Sequence, residues 1–135
     1  MIFLLDTNAI SDLVRENQPI VSRVAALSLD DTTVICTVVR GECLFGIERM
    51  PTGKRREALR AKMEMVLANV RCEAVPEVAA DHYARIKRAC QQKGTPLDEG
   101  DLWIAATTLA LGAVLITRDG DFRNIDGLEV EDWSL

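Results

Sequence analysis

The sequence predicts a single α/β domain with a central, mostly parallel β-sheet that helices cover on both faces. Short apolar runs alternate with longer amphipathic segments, and a run that is apolar throughout indicates a strand buried on both faces. Because parallel strands need crossover connections, this alternation of strands and helices favours parallel pairing. At 135 residues, the chain has the size of one ordinary domain.

The first half of the chain contains two predicted strands and three predicted helices. Met1–Leu5 is the first apolar run, and Thr7–Glu16 has apolar residues at helical spacing directly after it. Pro19 suits the first turn of a second helix. Thr33–Thr37 is rich in β-branched residues, which favour a buried strand, and Val38–Met50 continues as a helix.

The second half repeats this alternation. Lys54–Arg71 is the clearest amphipathic helix, with apolar residues at three- and four-residue steps and basic residues on its polar faces. A helix from about Pro76 to Lys93 is expected to end at Gly94, a residue suited to a helix C-cap. Asp98 is expected to be the N-cap of a largely buried helix that extends through Leu111. Three further strands are expected at Cys72–Val75, Ala113–Ile116 and Gly127–Trp133, of which the last should be short and more exposed.

Charge is distributed unevenly along the chain, which has a formal net charge of -5. Residues 54–93 contain ten of the sixteen basic side chains, and residues 98–135 contain nine acidic side chains against two basic ones. The net charge argues against indiscriminate binding to a polyanion, whereas the distribution suggests a negative pocket beside a positive surface. The basic residues could equally be the solvated faces of two helices, so both interpretations stay open at this point.

Nothing in the sequence predicts a membrane or secreted protein. No apolar run approaches the length that crosses a bilayer, and the N-terminal run meets Asp6 after five residues without a basic stretch before it. The cysteines, which lie in apolar stretches without a CxxC pair, are Cys36, Cys43, Cys72 and Cys90. We therefore expect reduced, buried thiols and a cytoplasmic location.

Four acidic residues from distant parts of the sequence are expected to meet at one edge of the sheet. Asp6 ends the first strand, and Asp119 follows the strand at Ala113–Ile116. Glu42 lies in the first turns of the helix after the second strand, and Asp101 lies in the first turn of the buried helix. Since crossover helices run antiparallel to the strands that they join, all four acids fall at the carboxyl edge, where open α/β sheets bind ligands.

Crowded carboxylates raise one another's pKa values unless a cation lies among them. Because these acids offer only oxygen ligands, and the chain has one histidine and no suitable cysteine spacing, the expected cation is Mg²⁺ or Mn²⁺ rather than zinc. Such an ion activates water and stabilises the charge that develops in a displacement at phosphorus. The four acids therefore predict a metal-dependent site for phosphate chemistry.

Each acid also has a purely structural explanation. Helix capping would account for Asp6 and Asp101, and turn formation would account for Asp119. Glu42 could be an ordinary exposed helix residue. The predicted convergence favours the functional interpretation for these four, whereas Asp121 is interpreted only as a turn residue.

Asn8 and Thr117 are candidate supporting residues. Each lies within two residues of an expected ligand, and each carries a side chain that hydrogen-bonds carboxylates, water or phosphate. Turn and cap formation would explain both residues equally well.

Motifs along the whole chain resemble those of the PIN domain family, and most closely those of VapC-type toxins of bacterial toxin–antitoxin modules. The matching stretches are FLLDTN at residues 3–8, the helix that contains Glu42, DLWIAA at residues 101–106, and LITRD at residues 115–119 followed by Asp121 and Phe122. Each motif is weak alone, but their order and spacing are specific.

This resemblance implies a metal-dependent endoribonuclease with an acidic site at Asp6, Glu42, Asp101 and Asp119. The corresponding hypothesis has Asp6, Asp101 and Asp119 holding one or two Mg²⁺ or Mn²⁺ ions, Glu42 positioning or deprotonating the attacking water, and Thr117 supporting the site. The resemblance also implies a homodimer and an antitoxin that inhibits by laying a peptide across the acidic pocket. Promoter DNA would be reached only indirectly, through the antitoxin.

Two other functions stay open on the sequence alone. One is a non-catalytic binding module of the same fold, which would dock a partner peptide in its acidic pocket. The other is a phosphoryl-transfer or receiver-type domain, which is disfavoured because Asn8 stands where an Asp-x-Asp phosphatase motif has its second acid. Candidate contacts to RNA phosphates are Lys54, Arg55, Arg56, Arg85 and Arg88.

Overall fold

The computed structural model describes all residues from Met1 to Leu135. The five strands are β1 (Ile2–Leu5), β2 (Thr32–Cys36), β3 (Arg71–Glu73), β4 (Val114–Ile116) and β5 (Val130–Glu131). The six helices are α1 (Thr7–Val14), α2 (Gln18–Ala25), α3 (Thr37–Glu48), α4 (Lys54–Ala68), α5 (Ala79–Lys93) and α6 (Glu99–Ala110). A 3₁₀ helix covers Gly120–Asn124 between β4 and β5.

The five strands form one sheet in the order β3-β2-β1-β4-β5, and all four pairings are parallel. β1 lies at the centre, where Phe3 pairs with Thr33 of β2 and with Val114 of β4. Strands in such a position are covered on both faces and must be apolar throughout. Phe3, Leu4 and Leu5 are accordingly buried. The predicted α/β fold with a parallel sheet flanked by helices is confirmed.

The order in which successive strands are added to the sheet reverses direction at β1. β2 and β3 lie on one side of β1, whereas β4 and β5 lie on the other. In open α/β sheets, such a reversal leaves a crevice at the carboxyl ends of the two central strands, because their connections leave to opposite sides. The Asp6 N–H donates a hydrogen bond to the Ile116 carbonyl at 3.1 Å, so the ends of β1 and β4 are held together at this crevice.

Element boundaries differ from the predicted ones by a few residues. α4 ends at Ala68, and α5 begins at Ala79 because the residues from Pro76 onward make only three-residue turn hydrogen bonds, such as Ala79 N–H to the Pro76 carbonyl. Gly94 ends α5 in the left-handed conformation, with φ of 73°, as predicted. None of the six helices has the length and apolar character of a membrane span.

The prediction that all four cysteines are buried is wrong for Cys72. Cys36, Cys43 and Cys90 are buried free thiols, whereas Cys72 is an exposed free thiol. Cys72 lies in β3, which is an edge strand of the sheet, and no residue of this strand is buried. A three-residue edge strand has a neighbour on one side only, so its side chains stay partly open to solvent.

Candidate active site

Asp6 follows β1 directly and lies at the crevice between β1 and β4. It is the N-cap of α1, and its Oδ1 accepts a hydrogen bond from the Ala9 N–H at 2.8 Å. The side chain is buried, with 4% exposure. The capping interpretation of Asp6 is therefore correct, and the same hydrogen bond fixes the carboxylate at the carboxyl edge of the sheet.

Burial controls the ionisation of Asp6. Desolvation raises the pKa of Asp6 from 3.8 to about 6, and the negative charge of Asp119 acts in the same direction. Hydrogen bonds from Thr117 and from the Ala9 N–H, together with the positive charge of Arg118, lower the pKa but only partly offset the effect of burial. The charged form of Asp6 is therefore less favourable than that of an ordinary aspartate, and a cation close to it would stabilise this form.

Asp101 lies in the first turn of α6 and is affected by all three of the other predicted acids. The pKa of Asp101 is raised from 3.8 to about 7, mainly by desolvation and then by the charges of Asp98, Asp119, Glu42 and Asp6, in that order. Its backbone N–H donates to Oδ1 of Asp98, the N-cap of α6, at 2.8 Å. The structure thus brings the four predicted acids close enough to repel one another.

The thiol of Cys43 is a second sign of this convergence. Desolvation raises the pKa of Cys43 to about 12, and the charges of Glu42 and Asp6 contribute to the shift. Cys43 is buried in α3, next to Glu42 in the sequence. Two acids that are 36 positions apart in the sequence therefore act on one buried side chain.

Glu42 is held between α1 and α6 by two residues that the sequence did not single out as site residues. The Thr7 hydroxyl donates a hydrogen bond to Glu42 Oε1 at 2.5 Å. Glu42 Oε2 lies so close to the backbone of Gly100 that a side-chain carbon at this position would overlap it. The sequence does contain one signal of the Gly100 contact. Glycine inside a helix lowers stability by roughly 1 kcal/mol relative to alanine, so its presence there indicates a packing or functional reason.

The segment after β4 places Thr117 and Asp119 at the same crevice. Thr117 is buried, and its Oγ1 accepts a hydrogen bond from the Asp119 N–H at 3.0 Å. Asp119 Oδ1 accepts a hydrogen bond from the Asp121 N–H at 2.9 Å and caps the 3₁₀ helix. Asp119 therefore forms the turn, while its negative charge still acts on Asp6 and Asp101.

Asn8 does not join these acids in the structure. It is exposed on α1, and the hydrogen bonds to Asp6 and Glu42 come from other residues. Arg118 was not singled out from the sequence as a site residue, but its positive charge acts on the site and lowers the pKa of Asp6. Its guanidinium also lies 3.7 Å from Oδ1 of the buried Asp12, which supplies part of the compensation for that second buried acid.

The donor chemistry of this cluster suits a hard divalent cation. Carboxylate oxygens are the ligands that Mg²⁺ and Mn²⁺ prefer, and the charge of Arg118 offsets only part of the unfavourable burial of Asp6. No group of three His, Cys, Asp or Glu side chains is positioned so that it could hold an ion without rearrangement. Since Mg²⁺ usually keeps several waters and binds one or two carboxylates, a partly hydrated ion suits these acids better than an enclosed one.

Known proteins resemble this chain over its whole length. The model of the family described as PIN domain matches residues 3–128. Ribonuclease VapC1 of Haemophilus influenzae strain R2866 is 31% identical over 136 residues, which cover 99% of each chain. The structure of VapBC-1 from nontypeable Haemophilus influenzae superposes with a TM-score of 0.88 and 30% identity over 100% of both chains. DNA-bound VapBC from Salmonella typhimurium superposes with a TM-score of 0.86 and 25% identity over 98% of both chains.

Proposed function

The chain belongs to the PIN domain family, and on that premise we propose that it is a Mg²⁺- or Mn²⁺-dependent endoribonuclease that acts as the toxin of a toxin–antitoxin pair. The observation that carries the proposal is the crowding of Asp6, Glu42, Asp101 and Asp119, which contributes to raising the pKa of Asp101 to about 7. The full-length similarity to a protein named as a ribonuclease supports the choice of RNA as substrate.

In this proposal, Asp6, Asp101 and Asp119 hold the ion at the crevice. Mg²⁺ or Mn²⁺ bound there would lower the pKa of a water molecule and stabilise the negative charge that develops on the phosphate. The three ligands are carried by the end of β1, the first turn of α6 and the turn after β4. The carboxylates of Asp6 and Asp119 each accept a backbone hydrogen bond, which limits how far these two side chains must move.

Glu42 is the proposed general base. Its Oε1 accepts a hydrogen bond from the Thr7 hydroxyl, and this bond holds the carboxylate beside the other acids. Oε2 is then left to accept a proton from the attacking water. As that water forms a bond to phosphorus, the bond from phosphorus to the 3′ oxygen breaks. The products are a 5′-phosphate and a 3′-hydroxyl, so the ribose 2′-hydroxyl is not needed as a nucleophile.

The basic side chains proposed to contact RNA phosphates differ in their availability. Arg56 is half-buried and forms an ion pair with Glu48 at 3.0 Å, so its guanidinium is not free to contact an RNA phosphate. The remaining candidates, all exposed, are Lys54, Arg55, Arg85 and Arg88. Contacts of this kind would fix the register of the RNA rather than read its sequence.

We propose further that an antitoxin inhibits this site by placing a basic side chain among the acids, because a crowded negative cluster is a natural receptor for a cation when RNA is absent. The solved relatives are VapBC assemblies, one of them bound to DNA, and this supports such a partner. We propose a homodimer that reaches promoter DNA only through the antitoxin. The formal charge of -5 is consistent with the absence of direct DNA binding.

The proposed activity is tested by incubating the purified, antitoxin-free protein with a pool of structured RNAs, with Mn²⁺ or Mg²⁺ and with EDTA. We expect cleavage only with the metal, and we expect fragments whose 5′ ends can be ligated directly because they carry a phosphate. Metal-independent cleavage, or fragments ending in a cyclic phosphate, would contradict the mechanism. No cleavage under any condition, with peptide binding retained, would favour the non-catalytic binding module instead.

Gly100→Ala is expected to lower the cleavage rate without unfolding the protein. The added carbon overlaps the present position of Glu42 Oε2, so the carboxylate must shift from the position in which Thr7 holds it. Alanine is also the better helix former, by about 1 kcal/mol. The cleavage rate and the thermal midpoint Tm are measured together. Ala110→Gly, which makes the opposite exchange at the far end of α6, is the control and should lower Tm but not the activity. Unchanged activity in Gly100→Ala would remove Glu42 from its proposed role.

A further inference from the structure

One flank of α3 carries an exposed aromatic residue beside the acidic site. Glu42, Phe45 and Arg49 are separated by three and four residues, a spacing that puts them on the same flank of a helix. Phe45 is 64% exposed, whereas the other two phenylalanines, Phe3 and Phe122, are buried. An isolated exposed phenylalanine needs no explanation in itself. Phe45, however, lies one turn from a proposed catalytic residue, and this position suggests a role in substrate binding.

The general direction of helical side chains places Phe45 over the turn that contains Glu42. Side chains on an α-helix point back over the preceding turn, and the turn before Phe45 contains Gly41 and Glu42. Three residues rise by about 4.5 Å along a helix axis. An RNA nucleotide next to the cleaved phosphate would therefore find the phenyl ring within reach.

Two glycines keep this flank of α3 open. Side-chain carbons added at Gly41 or Gly46 would meet nothing within 4 Å, so neither glycine is required by packing inside the protein. Each lowers helix stability by roughly 1 kcal/mol relative to alanine. Gly41 lies four residues before Phe45, and Gly46 lies four residues after Glu42, so neither of these two positions places a side chain over the ring or the carboxylate.

Arg49 supplies a positive charge at the outer end of the flank. Its guanidinium lies 5.9 Å from the centroid of the Phe45 ring. The adjacent carboxylate, Glu48, is used by Arg56 and Arg60 of α4, and the exposed Arg49 is in none of the ion pairs at this flank. A guanidinium in this position can bind a phosphate and can also extend a stack.

We propose that Phe45 and Arg49 form a nucleotide subsite, in which a base flanking the cleaved phosphate stacks on Phe45 and a neighbouring phosphate binds Arg49. This inference rests on the proposed ribonuclease function and narrows its substrate to single-stranded RNA, because a base paired within a helix cannot be placed on the ring. A protein partner fits less well, because charged residues and glycines surround the single phenyl ring and leave no contiguous apolar patch.

The test measures kcat and KM of Phe45 variants on a short single-stranded RNA with one cleavage site. Phe45→Ala is expected to lower kcat/KM about 5- to 100-fold, mainly through KM, and Phe45→Trp should retain activity because indole also stacks. Leu29→Ala, which truncates a fully exposed leucine in the loop before β2, is the matched control and should behave as the wild-type protein. Equal kcat/KM in the Phe45→Ala variant and the wild-type protein would overturn the subsite.

An abasic substitution in the RNA distinguishes stacking from a structural effect. Removing the base that stacks should lower wild-type kcat/KM by a similar factor and should have little further effect on Phe45→Ala. If instead the loss in Phe45→Ala is the same for every abasic position and is accompanied by a change in molecular mass by light scattering, the ring contacts a protein subunit, and the subsite proposal is wrong.

Failure of the proposed function can be separated from failure of the subsite. RNA carrying 2-aminopurine at the flanking position reports stacking by loss of fluorescence, independently of cleavage. Quenching that disappears in Phe45→Ala, with no cleavage by the wild-type protein, would contradict the ribonuclease function but keep the subsite. Cleavage without any Phe45-dependent quenching or Phe45-dependent KM would contradict the subsite alone.

Discussion

Asp101→Asn abolishes metal-dependent RNA cleavage and leaves the fold intact: this is the largest effect that we expect from any single substitution. Asp101 is acted on by the charges of Asp98, Asp119, Glu42 and Asp6, so a cation bound at this cluster would stabilise its charged form. Loss of a charged ligand removes several kcal/mol of transition-state stabilisation, which corresponds to a rate lower by about a thousandfold. The rate is measured with saturating Mn²⁺, and folding is measured by circular dichroism.

Asp6→Asn is expected to lower the rate by a similar factor and also to leave the fold intact. The amide can still accept the hydrogen bond from the Ala9 N–H that caps α1. Asp121→Asn is the matched control, because this exposed carboxylate lies in the same turn as Asp119 but is not among the main causes of the pKa shifts of Asp6 and Asp101. Cleavage at the wild-type rate by both Asp6→Asn and Asp101→Asn would refute the ligand assignment.

Metal-free protein is expected to lose stability as the pH rises from 5 to 8. The pKa values of Asp6 and Asp101 are about 6 and 7 in the folded protein, against 3.8 for the ordinary side chain. In this window the unfolded chain has released protons that the folded protein keeps, so the free energy of unfolding falls with rising pH. For the buried Asp6 the full shift corresponds to about 3 kcal/mol, of which the part between pH 5 and the folded pKa, about 1.4 kcal/mol, falls in this window. For the half-buried Asp101, solvent screening reduces the contribution.

The measurement is the thermal midpoint Tm in EDTA and with Mn²⁺ across this pH range. The loss of about 1.4 kcal/mol from Asp6 corresponds to a Tm lower by roughly 5 °C for a chain of this size. Asp101 adds to this decrease, and Mn²⁺ should restore most of it at pH 8. Asp31 and Glu99, whose pKa values are lowered, titrate below this window and do not interfere. In EDTA at pH 8, Asp101→Asn should be more stable than the wild-type protein. A Tm that rises with pH in EDTA would contradict the crowding of the acids.

The strands that position the site were predictable because their burial leaves a direct trace in the sequence. Leu4, Leu5 and Val114–Ile116 form uninterrupted apolar runs, and each run ends immediately before the polar residues of the crevice. Crossover geometry then locates Asp6 and Asp119 without any knowledge of side-chain contacts. The carboxyl-edge location of the acids therefore followed from topology alone.

The parts that sequence did not reveal depend on contacts between distant segments. Nothing local indicates that Thr7, rather than Asn8, hydrogen-bonds Glu42, because both are small polar residues at the start of one helix. The close approach of Glu42 to Gly100 joins α3 to α6 and is visible only once the helices are packed. Cys72 is similar, because its exposure depends on the edge position of β3 rather than on its own apolar surroundings in the sequence.

The central position of β1 has a consequence during synthesis of the protein. The first strand to leave the ribosome has one neighbour in β2 but must wait for its other neighbour, β4, until residues 114–116 have been translated. Asp101 and Asp119 are also translated after β1, β2 and β3. A nascent chain that has not passed residue 119 therefore lacks the complete set of acids, so the site can assemble only after both halves of the sheet have been translated.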